Sequence, residues 1–269
     1  MTAFSAEWLA LREPYDLRAR NASVLAALAH AIADRAALAI VDLACGAGAT
    51  SRAISRHLAP AQSWRLVDND LDLLARAPSS GSIAAKNVTA VAVDIARELE
   101  AALADPVDLV TTSALLDLVS ADWLALFAKE IAARGLLAYA ALTYDGRIAF
   151  EPADPLDAAL VVAVNRHQRG DKGFGPALGP TAAFAAIMRF EALGYSVVHG
   201  QSDWRLGPGD SAIQRDLLAG WAAAARETGN LASSDIDGWL ARRRGHVAAG
   251  RSSISVGHCD FFAHPIGVL

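Results

Sequence analysis

The feature that most restricts the fold is a repeated alternation of apolar and helical segments between residues 38 and 142. Each apolar segment has the length and composition of a strand buried on both faces. The segment after it has apolar residues at the spacing of a helix. The five predicted strands are LAIVDL, SWRLVD, VTAVAVD, VDLVTTS and GLLAYAAL. Strands that alternate with helices form a parallel sheet with helices on both faces, so the sequence predicts an α/β fold.

The remaining segments complete what we expect to be one domain. Residues 1–37 are expected to form an N-terminal helical cap, with a helix beginning near Pro14, ahead of a core at 38–142. Residues 143–180 are rich in Gly and Pro and too long for an ordinary connection, so we expect a lid or substrate loop there. Residues 181–269 add two predicted strands, YSVVHG and SISVGHCDFFAHP, which brings the sheet to seven strands.

The composition restricts the classes of binding partner and the cellular compartment that we expect for this chain. The formal net charge of -5 argues against a nucleic-acid partner, which usually selects a basic surface. Two cysteines, Cys45 and Cys259, form no disulfide framework, and they favour a cytoplasmic location. Because no apolar segment is long enough to span a bilayer, no membrane partner is expected. The sequence leaves a homodimer open.

The segment VDLACGAGATSRAI, Val41–Ile54, predicts a buried strand, a glycine turn and the start of a helix. Gly46 and Gly48 allow a tight turn and let a ligand approach the main chain closely. A dinucleotide fingerprint requires a third glycine, and that position holds Ser51. The turn therefore indicates a nucleotide-shaped ligand but fits a dinucleotide poorly.

Acidic residues end the first three predicted strands: Asp42, Asp68 and Asp94. Since ligands bind at the carboxyl ends of strands in an open parallel sheet, these carboxylates should line one crevice. Asp68 lies twenty positions after Gly48, where a carboxylate can accept two ribose hydroxyl groups. Asp94 can accept a hydrogen bond from an exocyclic amine, and Ile95 can pack on a flat base. The crevice therefore suits an adenosine.

The segments VDLACGAGATSRAI, LVDND, AVDIA and DLVTTSALLDLVS resemble the successive motifs of class I S-adenosylmethionine-dependent methyltransferases. The resemblance implies a Rossmann-like, seven-stranded, mostly parallel sheet with S-adenosylmethionine as cofactor. It assigns Asp42, Ala44, Gly46 and Gly48 to the methionine part, Asp68 to the ribose, Asn69, Asp94 and Ile95 to the adenine, and Ser113 and Ala114 to the methionyl chain. It further implies that Arg20, in preference to Arg18, approaches the cofactor carboxylate and that Tyr15 covers the same site.

Residues after the fourth strand are the candidates for chemistry on the methyl acceptor. Asp117 can take a proton from the acceptor or pair with a cationic one, although it also suits a turn before the next helix. His167, in the expected lid, is either a general base or a surface histidine. The candidate substrate contacts are Tyr144, Asn165 and Gln168. His258 is expected to be a packed histidine of the sheet.

We therefore expect an enzyme that transfers a methyl group from S-adenosylmethionine to an oxygen or nitrogen of a small-molecule metabolite, without a metal. The motifs typical of DNA-base and protein-arginine methyltransferases are absent from the sequence. Two alternatives remain open. One is an NAD(P)-dependent oxidoreductase, which Ser51 disfavours, and the other is a non-catalytic nucleotide-binding protein on the methyltransferase fold.

Overall fold

A computed structural model describes residues 5–59, 61–77, 85–104 and 106–267. Within these residues one mixed sheet contains every named strand. Its strands are β1 Ala37–Leu43, β2 Ala61–Asp68, β3 Asn87–Ala92, β4 Leu109–Ser113, β5 Leu137–Glu151, β6 Tyr195–Gln201, β7 Trp204–Leu206 and β8 Ser253–Pro265.

Helices connect most of these strands. They are α1 Ala6–Ala19, α2 Ala22–Ala31, α3 Ala49–Ile54, α4 Leu71–Arg76, α5 Leu99–Ala102, α6 Ala121–Ala133, α7 Asp157–His167, α8 Ala182–Ala192, α9 Ser211–Thr228 and α10 Ser233–Ala248, with short 3-10 turns at Ser55–His57 and Gly179–Thr181. No helix in the described part of the chain is both long enough and apolar enough to cross a membrane.

The sheet has the order β3-β2-β1-β4-β5-β8-β6, and β7 pairs with β8. Strands β1 to β5 are mutually parallel, whereas β8 is antiparallel to β5, β6 and β7. The expected mostly parallel α/β sheet is confirmed. The seven strands of this order correspond to the seven predicted from the sequence. The additional strand β7 has three residues, which is too short to give an apolar pattern of its own.

Alternating residues of the central strands build a core on each face of the sheet. In β1, Val41 and Leu43 pack with α5, α6 and α8, whereas Leu38 and Ile40 pack with α2, α3 and α4. All four side chains are buried, as expected for a strand covered by helices on both sides.

The N-terminal region consists of two helices, where the sequence predicted one helix starting near Pro14. Pro14 lies inside α1, and the chain breaks between α1 and α2 at Asn21. The Asn21 side chain accepts hydrogen bonds from the backbone N–H groups of Ser23, at 3.0 Å, and Val24, at 3.1 Å. This N-cap starts a new helix at the position where the periodic pattern had suggested continuity.

The segment 143–180, expected to be a loop, is largely regular. Strand β5 continues to Glu151 because its second half pairs with β8, and α7 follows. These elements, together with β7, α9 and α10, surround a third apolar core that contains Phe150, Leu160, Trp204 and Trp239. The tertiary pairing with β8 overrides the Gly and Pro content that had indicated a loop.

Candidate functional site

The turn between β1 and α3 has an unusual backbone. Ala44, Gly46 and Gly48 have φ angles of 51°, 52° and 79°, in the left-handed region. The Gly48 N–H donates to the Cys45 carbonyl at 2.8 Å, and a Cβ at Gly48 would lie 3.2 Å from the Ala77 carbonyl oxygen. The turn is therefore tight and exposes main chain at the carboxyl end of β1.

Asp68 ties this turn to the end of β2. Its Oδ2 accepts the Gly46 N–H at 2.8 Å, and its Oδ1 accepts the Asp70 N–H at 3.0 Å. Asn69, between the two acids, is exposed. Because each carboxylate oxygen has two lone-pair sites, both oxygens of Asp68 can accept a further hydrogen bond.

Asp94 and Ile95 lie in the turn after β3. The Asp94 Oδ1 accepts the Ala96 N–H at 3.1 Å, and its Oδ2 lies 3.7 Å from the Arg97 guanidinium. Ile95 is buried, and its carbonyl accepts the Trp123 indole N–H at 2.8 Å. This indole contact from α6, which the sequence did not reveal, fixes the turn.

Asp42 is the most constrained acid of the site. It is fully buried, and its Oδ1 accepts the Thr111 hydroxyl at 2.8 Å from the neighbouring strand β4. Its Oδ2 has no hydrogen-bond partner among the described residues. Burial raises the pKa of Asp42 to about 7, although Thr111 and Arg20 act in the opposite direction.

The end of β4 completes this edge of the sheet. Ala114 has a φ of 51°, and its N–H donates to the Ala141 carbonyl at 2.9 Å, so the chain turns away directly after Ser113. Ser113 and Ala114 are partly buried. The residues predicted for the methionyl chain thus lie at the carboxyl end of β4, beside β1.

Arg20, which caps the C-terminus of α1, and Tyr15, within α1, border different clefts. Arg20 borders a cleft of about 230 Å³ between α1 and α3, donates to the Tyr139 hydroxyl at 3.4 Å, and has an Nε without a partner among the described residues. The Tyr15 hydroxyl donates to Asp210 at 2.9 Å, and its ring borders a separate cleft of about 420 Å³ near β7. The structure therefore separates two residues that were expected to share one site.

Two of the predicted acceptor-side residues, Tyr144 and Asn165, are joined by a hydrogen bond, and a third, Asp117, lies in the connection between β4 and α6. The Tyr144 hydroxyl donates to Asn165 Oδ1 at 2.7 Å, and Asn165 Nδ2 donates to the Gly146 carbonyl at 2.9 Å. Asp117 is 7% exposed, its Oδ1 has no partner among the described residues, and burial raises its pKa to about 6. The Tyr144 main chain acts against this rise in the pKa of Asp117, and the Asp117 carbonyl accepts the Gly179 N–H at 3.0 Å.

His167 and Gln168 lie apart from this group. The His167 Nε2 is 2.9 Å from a Glu227 carboxylate oxygen on α9, and its Nδ1 is 3.5 Å from the Lys172 ammonium. Gln168 ends α7, where its main chain packs against Gly179. His167 is thus held by surface charges, and no contact between either side chain and Asp117 is found among the described residues.

The sequence predicted His258 only as a packed histidine of the sheet, and it did not suggest Arg12. His258 on β8 is the direct cross-strand partner of Tyr144, and Arg12 on α1 acts electrostatically on both Asp117 and His258. The strand pairing that brings them together joins residues more than 100 positions apart, so no local pattern could have revealed it. No group of three metal-ligating side chains occurs in the described ranges.

Comparisons with known proteins establish the fold. No protein-family model matches the chain, and no curated protein matches it in sequence. A cyclopropane-fatty-acyl-phospholipid synthase-like protein from Lactobacillus casei superposes with a TM-score of 0.56 at 13% identity, over 97% of this chain and 94% of that one. The cyclopropane synthase MmaA2 from Mycobacterium tuberculosis gives 0.50 at 12% identity, over the same shares. At these identities the likeness concerns the fold alone, and the predicted Rossmann-like, mostly parallel sheet is confirmed.

Proposed function

We propose that the chain is an S-adenosylmethionine-dependent methyltransferase whose acceptor is an oxygen or nitrogen of a small molecule. The observation that carries this proposal is the buried carboxyl of Asp42, whose Oδ2 has no partner among the described residues. A buried carboxyl oxygen without a partner is costly, so a ligand that offers a hydrogen-bond donor or a positive charge to Oδ2 explains its presence. The ammonium group of S-adenosylmethionine meets that requirement.

The other groups at this edge of the sheet fit the same cofactor. Asp68 can accept ribose hydroxyls with the lone pairs that Gly46 and Asp70 leave free. Asp94 and the buried Ile95 suit the amine and the ring of adenine. The unpartnered Nε of Arg20 supports its assignment to the cofactor carboxylate, whereas the Asp210 contact of Tyr15 supports a structural role for that tyrosine.

The cofactor supplies a methyl group on a sulfonium, so the carbon–sulfur electron pair stays on sulfur and the acceptor lone pair forms the new bond. This chemistry requires alignment and exclusion of water more than it requires a strong base. Asp117 can receive a hydrogen bond or a proton from the acceptor, and Tyr144 and Asn165 border the same region. We assign residues 143–180 to covering the acceptor.

Calorimetry with S-adenosylhomocysteine tests the proposal. The wild-type protein should bind it, and Asp68→Asn should bind at least about tenfold more weakly, because one charge-assisted hydrogen bond is worth about 1.5–3 kcal/mol. Asp72→Asn is a matched control, since Asp72 is an exposed acid at the start of α4. The melting temperature of each variant shows whether it is folded.

The outcomes separate the proposal from its alternatives. Absence of binding to the wild-type protein refutes a methyltransferase, and tight binding of NAD in its place favours an oxidoreductase. Binding without turnover of S-adenosylmethionine on any acceptor favours a non-catalytic protein of the same fold.

A further inference from the structure

Asp260, on β8, carries a fully buried carboxyl group that is not among the predicted cofactor contacts. Its Oδ2 accepts the Asn21 N–H at 2.8 Å, and its Oδ1 accepts the Leu142 N–H at 2.7 Å. One carboxyl group therefore joins the α1–α2 junction to strand β5. Because burying a carboxyl group is costly, the two segments that it holds together indicate its purpose.

The first contact fixes the junction between α1 and α2. Asn21 directly follows Arg20, the C-cap of α1, and its side chain also donates to the Gln201 carbonyl at 2.9 Å. Gly200, the cross-strand partner of Asp260, leaves the space for that side chain, because a Cβ at Gly200 would overlap Asn21 Nδ2. The junction is thus held through main chain and side chain against β8 and β6.

This junction places Arg20 on the face of the sheet that carries Asp42. The Tyr139 hydroxyl, which accepts from the Arg20 guanidinium at 3.4 Å, belongs to a residue aligned with Thr111 on β4, and Thr111 is aligned with Asp42 on β1. Aligned residues of neighbouring strands project from the same face of a sheet. Arg20 Nε and Asp42 Oδ2, both buried and unpartnered among the described residues, suit the carboxylate and the ammonium of one amino acid.

The second contact fixes a bulge in β5. The register with β8 shifts at Ala141 and Leu142, which together lie opposite Asp260. Leu142 has a φ of 55°, a left-handed conformation that leucine rarely adopts. The peptide unit whose N–H donates to Asp260 also contains the Ala141 carbonyl, which accepts the Ala114 N–H at 2.9 Å. Asp260 therefore also holds, through one peptide unit, a residue predicted for the methionyl chain.

We propose that Asp260 is a positioning residue for the amino-acid part of the cofactor, and that it acts on Arg20 through Asn21 and on Ala114 through the peptide unit before Leu142. The inference rests on the proposed binding of S-adenosylmethionine. Each oxygen of Asp260 holds a main-chain N–H group, so the residue acts through these segments and not by contact with the ligand. An asparagine has the same size but would present its own N–H groups to one of the two donors and release that segment.

Two ligands distinguish positioning from a general loss of structure. S-adenosylhomocysteine carries the amino-acid part, whereas 5′-methylthioadenosine has the same adenosine and thioether without it. In calorimetry, Asp260→Asn should weaken binding of S-adenosylhomocysteine by about fivefold or more, the value of one ordinary hydrogen bond, and that of 5′-methylthioadenosine by less than about twofold. Arg20→Met should show the same selectivity with a loss of about tenfold or more, because its hydrogen bond joins two charged groups.

Asp108→Asn is the matched control, because Asp108 also accepts a main-chain N–H from a neighbouring strand, that of Ala39 at 2.8 Å, but lies directly before the amino end of β4. It should leave both affinities unchanged even where it lowers the melting temperature. Gly200→Ala is the second variant in case Asp260→Asn does not fold. It displaces the Asn21 side chain while Asp260 stays intact, and it should show the same selectivity.

The proposal is overturned if Asp260→Asn, or Gly200→Ala in its place, weakens the two ligands equally or weakens neither. It is also overturned if the wild-type protein binds both ligands with the same affinity. In each of these cases the protein still binds the adenosine ligands, so the proposed function stands. A wild-type protein that binds neither ligand refutes the proposed function, and the role of Asp260 with it.

Discussion

The buried Asp42 makes the stability of the protein depend on pH in a way that one substitution can isolate. Its pKa is raised from 3.8 to about 7, so between these values the folded state holds a proton that the unfolded state has released. Stability therefore falls as pH rises through this window and is constant above it. Three pKa units correspond to about 4 kcal/mol, which is an upper bound for the loss between pH 4 and pH 7.

Asp42→Asn removes this titration while keeping an acceptor for the Thr111 hydroxyl, because the asparagine Oδ1 can replace the carboxylate Oδ1. We expect the variant to gain stability relative to wild type by about 2–3 kcal/mol as pH rises from about 5 to about 8. Burial of the asparagine amide changes the free energy of unfolding of the variant by an amount that does not depend on pH. This change is therefore the same at pH 5 and at pH 8, and it does not affect the expected gain.

Urea unfolding at several pH values across this range measures the difference directly. Titration of Asp117 in the same window occurs in both proteins and cancels in the difference. Asp122→Asn, on the exposed start of α6, is the control for removing a surface charge. Parallel pH profiles for wild type and Asp42→Asn would refute the argument that Asp42 is held protonated in the folded protein.

Other substitutions test individual features of the fold. Gly48→Ala should lower the free energy of unfolding by about 1–3 kcal/mol, and by more than Gly135→Ala does. Both glycines have a positive φ, but an added Cβ meets neighbouring atoms only at Gly48. Equal losses of melting temperature in the two variants would contradict this. Arg243→Met should cost about 3–5 kcal/mol in urea unfolding, since it leaves Asp157 without its buried cation, and a loss under 1 kcal/mol would contradict that. Ser120→Ala should cost about 1 kcal/mol through loss of the α6 N-cap, measured in the same way.

Local patterns were sufficient for the cofactor half of the molecule. The glycine turn and the strand-end acids depend on neighbouring residues in the chain. Asp42 and Asp68 lie at the ends of β1 and β2 as predicted, whereas Asp94 lies two residues beyond the end of β3. Asp42 was recognised from its position, but its burial depends on Thr111 of the adjacent strand.

The acceptor half could not be predicted in the same way. The Gly and Pro content of residues 143–180 indicated a loop, yet pairing with β8 extends β5 to Glu151. His167 had the residue type of a general base, but α7 brings it to Glu227 at the surface. His258, expected only to pack in the sheet, lies opposite Tyr144 with an unpartnered nitrogen.

The sequence by itself determined the parallel sheet, the glycine turn and the acids at the strand ends, because periodicity and backbone preference act over a few residues. Only the tertiary structure decided which side chains meet at the acceptor side. There, β5 and β8 pair across more than 100 residues, and α1 brings Arg12 over the Trp204 ring of β7. The pKa values of Asp42, Asp117 and His258 follow from burial, which is a property of the assembled fold and not of any segment.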